Sequence, residues 1–156
     1  MNIKPAFLLL ALTACTTQTP DKLYVVDIAA SQQQFDNALK RQPLKPVLKK
    51  SLQHIIGMCH KPELSDVKQF GREYWQTPNE YQRNGKGDCD DFAMCAYYQL
   101  NQHYQTKIIT GTVGKVGHVL IEVDNKYVLD NNTQYPWKIK DYYKKIDLQF
   151  KQEISK

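Results

Sequence analysis

Gly85-Lys86-Gly87-Asp88-Cys89-Asp90-Asp91-Phe92-Ala93-Met94-Cys95-Ala96-Tyr97-Tyr98-Gln99-Leu100 is the most informative segment of the sequence. Its glycines mark a loop, because they supply backbone angles that other residues avoid. Beyond the loop, Phe92, Cys95, Ala96 and Leu100 fall on one face of a helix whose first turn is acidic, as the helix dipole favours. Cys89 therefore stands at a helix N-terminus. Unsatisfied backbone N–H groups at that end favour a thiolate over a thiol, so the position suits a nucleophile once a base is within reach.

Downstream of about Gln105 the pattern turns to strands. Lys107 to Val113, His118 to Val123 and Lys126 to Leu129 read as β, with a turn at Asp124-Asn125, and Tyr142, Ile146, Leu148 and Phe150 alternate near the end. A hairpin centred on the turn sets residue 118 opposite position 130 or 131 and brings Asp130 beside His118, a pairing that one residue of slip would destroy. Upstream, Ser31 to Arg41 and Val47 to Ile56 have helical spacing, with Pro43 and Pro46 between them and Gly57 closing the second. A third, less regular helical stretch runs from Leu64 to about Tyr74. Leu23 to Ala29 fits a strand or part of a tether equally well. Helices, a central helix and then antiparallel strands predict an α+β domain with a sheet packed on helices.

The chain has 156 residues, enough for one compact core without a dense disulfide framework, and four cysteines. Its net charge of +5 comes from lysines spread along the chain with no basic block, which argues against nucleic acid as a partner. Residues 1–14 combine Lys4, an apolar run from Ala6 to Leu12 and small residues, the pattern of a secretory signal. The run is far shorter than the ~20 residues needed to span a bilayer. Leu12-Thr13-Ala14-Cys15 resembles the bacterial lipobox, in which Cys15 receives the lipid, and Thr16 after it resembles the outer-membrane sorting pattern. The expected organisation is a signal at 1–14, a lipidated tether at 15–22 and one domain at 23–156, held in the cell envelope by its lipid and facing the periplasm. Export to an oxidising space leaves Cys59, Cys89 and Cys95, of which at most two pair with each other.

Tyr74-Trp75-Gln76-Thr77-Pro78-Asn79-Glu80, the Gly85–Ala93 segment, Gly117-His118-Val119-Leu120 and Val128-Leu129-Asp130-Asn131 resemble the bacterial transglutaminase-like cysteine peptidases. The best-known members of that family are periplasmic proteases that release biofilm adhesins. The resemblance covers about a quarter of the 156 residues, and the order Cys, His, Asp is the family's order. It implies a papain-like core in which the central helix carries the nucleophile, with Cys89 as nucleophile, His118 as general base and acid, and Asp130 as orienter of the imidazole. The Cys89 amide is one implied oxyanion donor, and Tyr74 or Trp75 is a candidate for the second. Like-charge repulsion from Asp88, Asp90 and Asp91 would oppose ionisation of the thiol, and a cation would relieve it. The resemblance implies calcium at those three carboxylates, whose hard oxygens suit it; the alternative is that Asp88 and Asp91 simply cap the helix. The chemistry itself needs no cofactor.

The activity so implied is hydrolysis of a protein or peptide amide through an acyl-enzyme. Rival readings are acyl transfer to an amine by the same triad, cell-wall peptide hydrolysis, whose enzymes normally carry Ser-Gly after the nucleophile, and a silent binding module of the same fold. His54, His60 and His103 lack metal-ligand spacing and read as ordinary surface or core histidines. Cys95 reads as a buried hydrophobe that could also pair with Cys59. Trp75 and Trp137 could line a cleft or simply pack.

Overall fold

The computed structural model describes residues 28–154, so the signal, Cys15 and the tether lie outside the described residues. Five helices precede the sheet: α1 (Ile28–Arg41), α2 (Leu52–Cys59), α3 (Asp66–Phe70), α4 (Pro78–Asn84) and α5 (Cys89–Leu100). Strands β1 (Thr106–Val113), β2 (Val116–Val123), β3 (Tyr127–Leu129) and β4 (Trp137–Lys138) follow, then α6 (Ile139–Lys145) and β5 (Leu148–Ile154). The five strands form one antiparallel sheet in the order β4-β3-β2-β1-β5.

Several boundaries differ from the sequence reading, each for a local reason. The helix expected at Val47 to Ile56 begins only at Leu52, because the Ser51 hydroxyl accepts from the His54 N–H at 3.2 Å and caps it there. Val47 instead donates its N–H to Gln102 Oε1 and offers its carbonyl to His103 Nε2. Gly57 does not close this helix, which runs on to Cys59. The stretch from Leu64 to Tyr74 shortens to α3, ended by Gly71 in the left-handed region at φ 72°. Helix α4 was not expected, although Thr77-Pro78-Asn79-Glu80 spells its start: Thr77 accepts from the Glu80 N–H, and Glu80 from the Thr77 N–H. Near the C-terminus the expected strand divides into a helix and a strand, since Tyr142 and Ile146 stand four apart and pack as a helical pair before β5 begins. The Leu23 to Ala29 segment is described only from Ile28, where α1 starts.

Both faces of the sheet are covered. Phe92, Met94, Ala96 and Leu100 of α5 pack with Ile108, Val119, Ile121 and Val123 on one face, while Ile109, Leu120 and Val128 pack with Tyr142 and Ile146 on the other. Cys59 and Cys95 form a disulfide that ties α2 to α5 across a Cα–Cα distance of 5.7 Å. Closing its loop contributes about 3–4 kcal/mol in the chain-entropy account.

This layout sets the level of the nucleophile candidate. Helix α5 climbs ~1.5 Å per residue, and β1 returns at ~3.3 Å per residue. Cys89 to Leu100 and Thr106 to Gly111 therefore cover the same distance, about 16 Å. Gly111 pairs with His118, so these lengths put His118 toward the same end of the fold as Cys89.

Candidate functional site

The second face of the sheet carries a chain of three buried side chains. His118 Nε2 lies 3.1 Å from Asp130 Oδ2, and both residues are only 2% exposed. The Tyr142 hydroxyl donates to the same Oδ2. Asp130 Oδ1 accepts the Asn132 N–H at 2.9 Å, and the Asp130 carbonyl accepts from Thr133, so the turn after β3 holds the carboxylate. Pairing of Ile121 with Leu129 and Glu122 with Val128, carried on, sets Asp130 opposite Leu120 rather than opposite His118. His118 and Asp130 are thus diagonal neighbours on one face, a step away from the facing register the spacing suggested.

An ionised carboxylate is acceptor-only, so the His118 nitrogen that meets it carries a proton. Burial pushes the Asp130 carboxyl up, but the charge of His118 and the bonds from His118, Asn132 and Tyr142 outweigh it and hold the group below its ordinary range. The neutral imidazole is therefore protonated at Nε2, which leaves the lone pair on Nδ1. That atom is buried and has no hydrogen-bond partner among the described residues.

Cys89 is the first residue of α5, is 3% exposed, and belongs to the core cluster on the α5 face, where Val119 also packs. His118 leaves β2 on the other face by strand alternation. Cys89 is itself disulfide-bonded here, so only its reduced form is a nucleophile. Of the candidates for a second oxyanion donor, Tyr74 has both its donors engaged, the N–H with Asp66 Oδ2 at 2.6 Å and the hydroxyl with Glu80 Oε1 at 3.0 Å.

Four carboxylates gather around the start of α5. Asp66, Asp88, Asp90 and Asp91 are all buried, and one oxygen from each lies within 4.8 Å of the others. Asp91 accepts the Gln76 N–H at 2.7 Å, Gln76 Nε2 at 2.6 Å and the Asp88 N–H at 3.2 Å. It thus caps the helix and anchors the Tyr74–Gln76 segment at once. Asp88 Oδ2 accepts the Asp66 N–H at 3.2 Å. One oxygen each of Asp66, Asp88 and Asp90 has no partner among the described residues. Burial pushes these groups up, with mutual repulsion adding to the effect: Asp66 to about 9 and Asp91 to about 7, and Asp90 well above its ordinary value. Burial likewise lifts Asp88 to about 6. Gly87 is obligatory here, since a Cβ would lie 2.1 Å from Asp91 Oδ2.

The structure brings His118 and Asp130 together, and Asp88, Asp90 and Asp91 together. Asp66, Gln76 and Tyr142 complete these groups and were not singled out as site residues from the sequence. Gln76 lay inside the Tyr74–Glu80 motif, whereas Asp66 precedes Asp88 by 22 residues with no motif around it, and only the fold joins them. Among the remaining candidates, His103 bonds the Val47 carbonyl at 2.6 Å in a packing role.

A protein family described as a transglutaminase-like domain matches residues 40–155. No curated protein matches the chain. A solved structure, calcium-bound LapG of Legionella pneumophila, is similar at 18% identity and a TM-score of 0.45, over 76% of this chain and 72% of that one. With helices before a curled antiparallel sheet and the nucleophile candidate heading the central helix, the α+β, papain-like core is the observed one. The chain belongs to the transglutaminase-like domain family.

Proposed function

We propose that the chain is a cysteine peptidase that cleaves a protein or peptide amide through Cys89, His118 and Asp130. The observation that carries this reading is the buried His118, bonded through Nε2 to Asp130, with Nδ1 lacking a hydrogen-bond partner among the described residues. The proposal requires the reduced Cys89 and His118, which belong to different faces of the sheet, to meet at their shared end of the fold. Nδ1 then takes the thiol proton of Cys89, and the thiolate attacks the amide carbon to form a tetrahedral oxyanion. The N–H of Cys89, at the head of α5, is the donor proposed for that oxyanion. Collapse expels the amine, which receives its proton from His118, and leaves a thioester on Cys89. Water, deprotonated by His118, then releases the acid. Asp130 holds the imidazole and stabilises its charged form.

Hydrolysis and acyl transfer differ only in what attacks the thioester. Incubating the chain with casein and dansylcadaverine separates them: the proposal expects new casein N-termini without dansyl incorporation, and dansylated casein would assign acyl transfer instead.

The carboxylate cluster fits a hard divalent cation, because three buried oxygens lack partners among the described residues and the ligands are all oxygens. Asp66, Asp88, Asp90 and Asp91 would hold calcium, which when bound neutralises the negative charge beside Cys89. A consequence for stability follows from the raised carboxyls. A carboxyl lifted in the folded state binds its proton more tightly there than in the unfolded chain, so its stabilisation is full below about pH 4 and is lost as pH rises through the folded value. In EDTA the thermal midpoint should therefore fall between pH 5 and 9, the range spanned by Asp88 at about 6, Asp91 at about 7 and Asp66 at about 9. Millimolar calcium should raise it by roughly 10 °C at the alkaline end. Melting curves across that range check both; a midpoint that rises with pH in EDTA, or is indifferent to calcium, contradicts the assignment.

The proposal places the protein in the cell envelope, anchored by lipid at Cys15 and facing the periplasm, with the membrane and a protein or peptide substrate as its partners. The lipobox-like Leu12–Cys15 segment supports this. Palmitate labelling that disappears in Cys15→Ser is the expected result.

A further inference from the structure

We infer that Tyr142 is a positioning residue for the His118–Asp130 pair, fixing the carboxylate that orients the imidazole; this deepens the triad reading and rests on it. The hydroxyl of Tyr142 donates to Oδ2, the oxygen that His118 Nε2 also engages. Asn132 holds the other oxygen, so every near partner of the carboxylate is a donor and the group is pinned at both ends. Tyr142 is itself immobilised. It is 2% exposed, packs among Ile109, Leu120, Val128 and Ile146, and meets the rings of Trp137 and Tyr143 edge-on at 6.4 and 5.5 Å.

A buried hydroxyl needs a partner, but core packing alone does not require that partner to be the oxygen bound to His118. Burial and the adjacent charge of Asp130 push the Tyr142 hydroxyl far up, so it stays a neutral donor throughout the working range. By sharing Oδ2, Tyr142 withdraws negative charge from the oxygen that faces His118. It keeps Asp130 ionised while moderating the basicity it confers on the ring.

Other charged and titratable groups lie on the elements packed against β2. Glu122 lies on the same face of β2 and is bonded by Tyr143 from α6 and Lys151 from β5. On the other face α5 carries Cys89, Asp90 and Asp91, with Asp88 at its N-cap. Removing the Tyr142 hydroxyl alters none of these, which makes Tyr142→Phe a specific probe.

The experiment is an NMR titration of the His118 ring in the full-length, histidine-labelled chain, reduced and at one fixed calcium concentration. Tyr142→Phe should raise the His118 midpoint by roughly 0.5–1 pH unit, because Asp130 then serves the ring alone. The same substitution in an Asp130→Asn background should leave the midpoint where Asp130→Asn alone puts it. A merely structural tyrosine moves the melting temperature without this Asp130-dependent shift. An unchanged or lowered midpoint in a folded Tyr142→Phe chain overturns the inference. Failure of the underlying triad reading has a different signature: iodoacetamide labelling of Cys89 that is indifferent to His118→Ala, whatever Tyr142 does.

Discussion

Cys89→Ala should lower the rate of amide cleavage by ~10⁴-fold or more, while the thermal midpoint, compared between the two fully reduced proteins so that no disulfide at Cys89 enters, moves by no more than a few degrees. The large kinetic effect follows from covalent catalysis. Without sulfur there is no thioester, and His118 and Asp130 have no nucleophile to serve, so the loss resembles removal of the whole triad rather than one third of it. The small stability effect follows from what Cys89 does in the core. It sits at the first position of α5, and the helix start is held by the Asp91 carboxylate on the Asp88 N–H rather than by the thiol. Cleavage of a peptide library by the two proteins, followed by mass spectrometry, measures the first expectation, and melting measures the second. Residual activity within tenfold of the parent chain would remove Cys89 from the chemistry.

Asp91→Ala should destabilise the fold by about 3–5 kcal/mol, a loss on the order of 10–20 °C in melting temperature. One carboxylate satisfies three donors, the Gln76 N–H, Gln76 Nε2 and the Asp88 N–H, all in the buried region under α5. Truncation strands all three and opens a cavity beside Gly87. It also frees the Tyr74–Gln76 segment from the start of α5. Asp91→Asn should fall between the two, since its amide keeps one acceptor but points a donor at another donor. Urea unfolding in EDTA separates this architectural role from any part in cation binding, and a loss below about 1 kcal/mol would contradict the bond network.

The parts of the fold that were legible in the sequence are those with a local cause. Helix α5 could be placed because its apolar face and acidic first turn both belong to one twelve-residue segment. Strands β1 to β3 announced themselves by composition and by the Asp124-Asn125 turn, whose two residues adopt positive φ. The pairing of Cys59 with Cys95 stayed open in the sequence, since neither spacing nor residue type selects a partner 36 positions away. Helix α2 was displaced because a single Ser51 cap outweighed a longer run of apolar residues. The C-terminal stretch misled because Tyr142 and Ile146 satisfy an even spacing and a helical one alike, and only packing on Leu120 and Val128 decides between them.

The site divides in the same way. The place of Cys89 at a helix start and the meeting of His118 with Asp130 across a hairpin were readable, both having local causes. The partners that complete the two buried networks were not. Asp66 reaches Asp88 through α3 and the chain reversal after it, and Tyr142 reaches Asp130 from a helix laid across the opposite face of the sheet. Such residues become visible only when buried donors and acceptors are accounted for one by one.

The most direct test of the central claim is the pH dependence of iodoacetamide labelling at Cys89 between pH 5 and 9, in protein that has been reduced and desalted, with His118→Ala beside it. Site-resolved mass spectrometry distinguishes Cys89 from Cys59 and Cys95. An activated nucleophile labels rapidly below pH 7 and slows sharply when His118 is removed. A Cys89 that titrates as an ordinary thiol near ~8.5, with or without His118, would contradict the account.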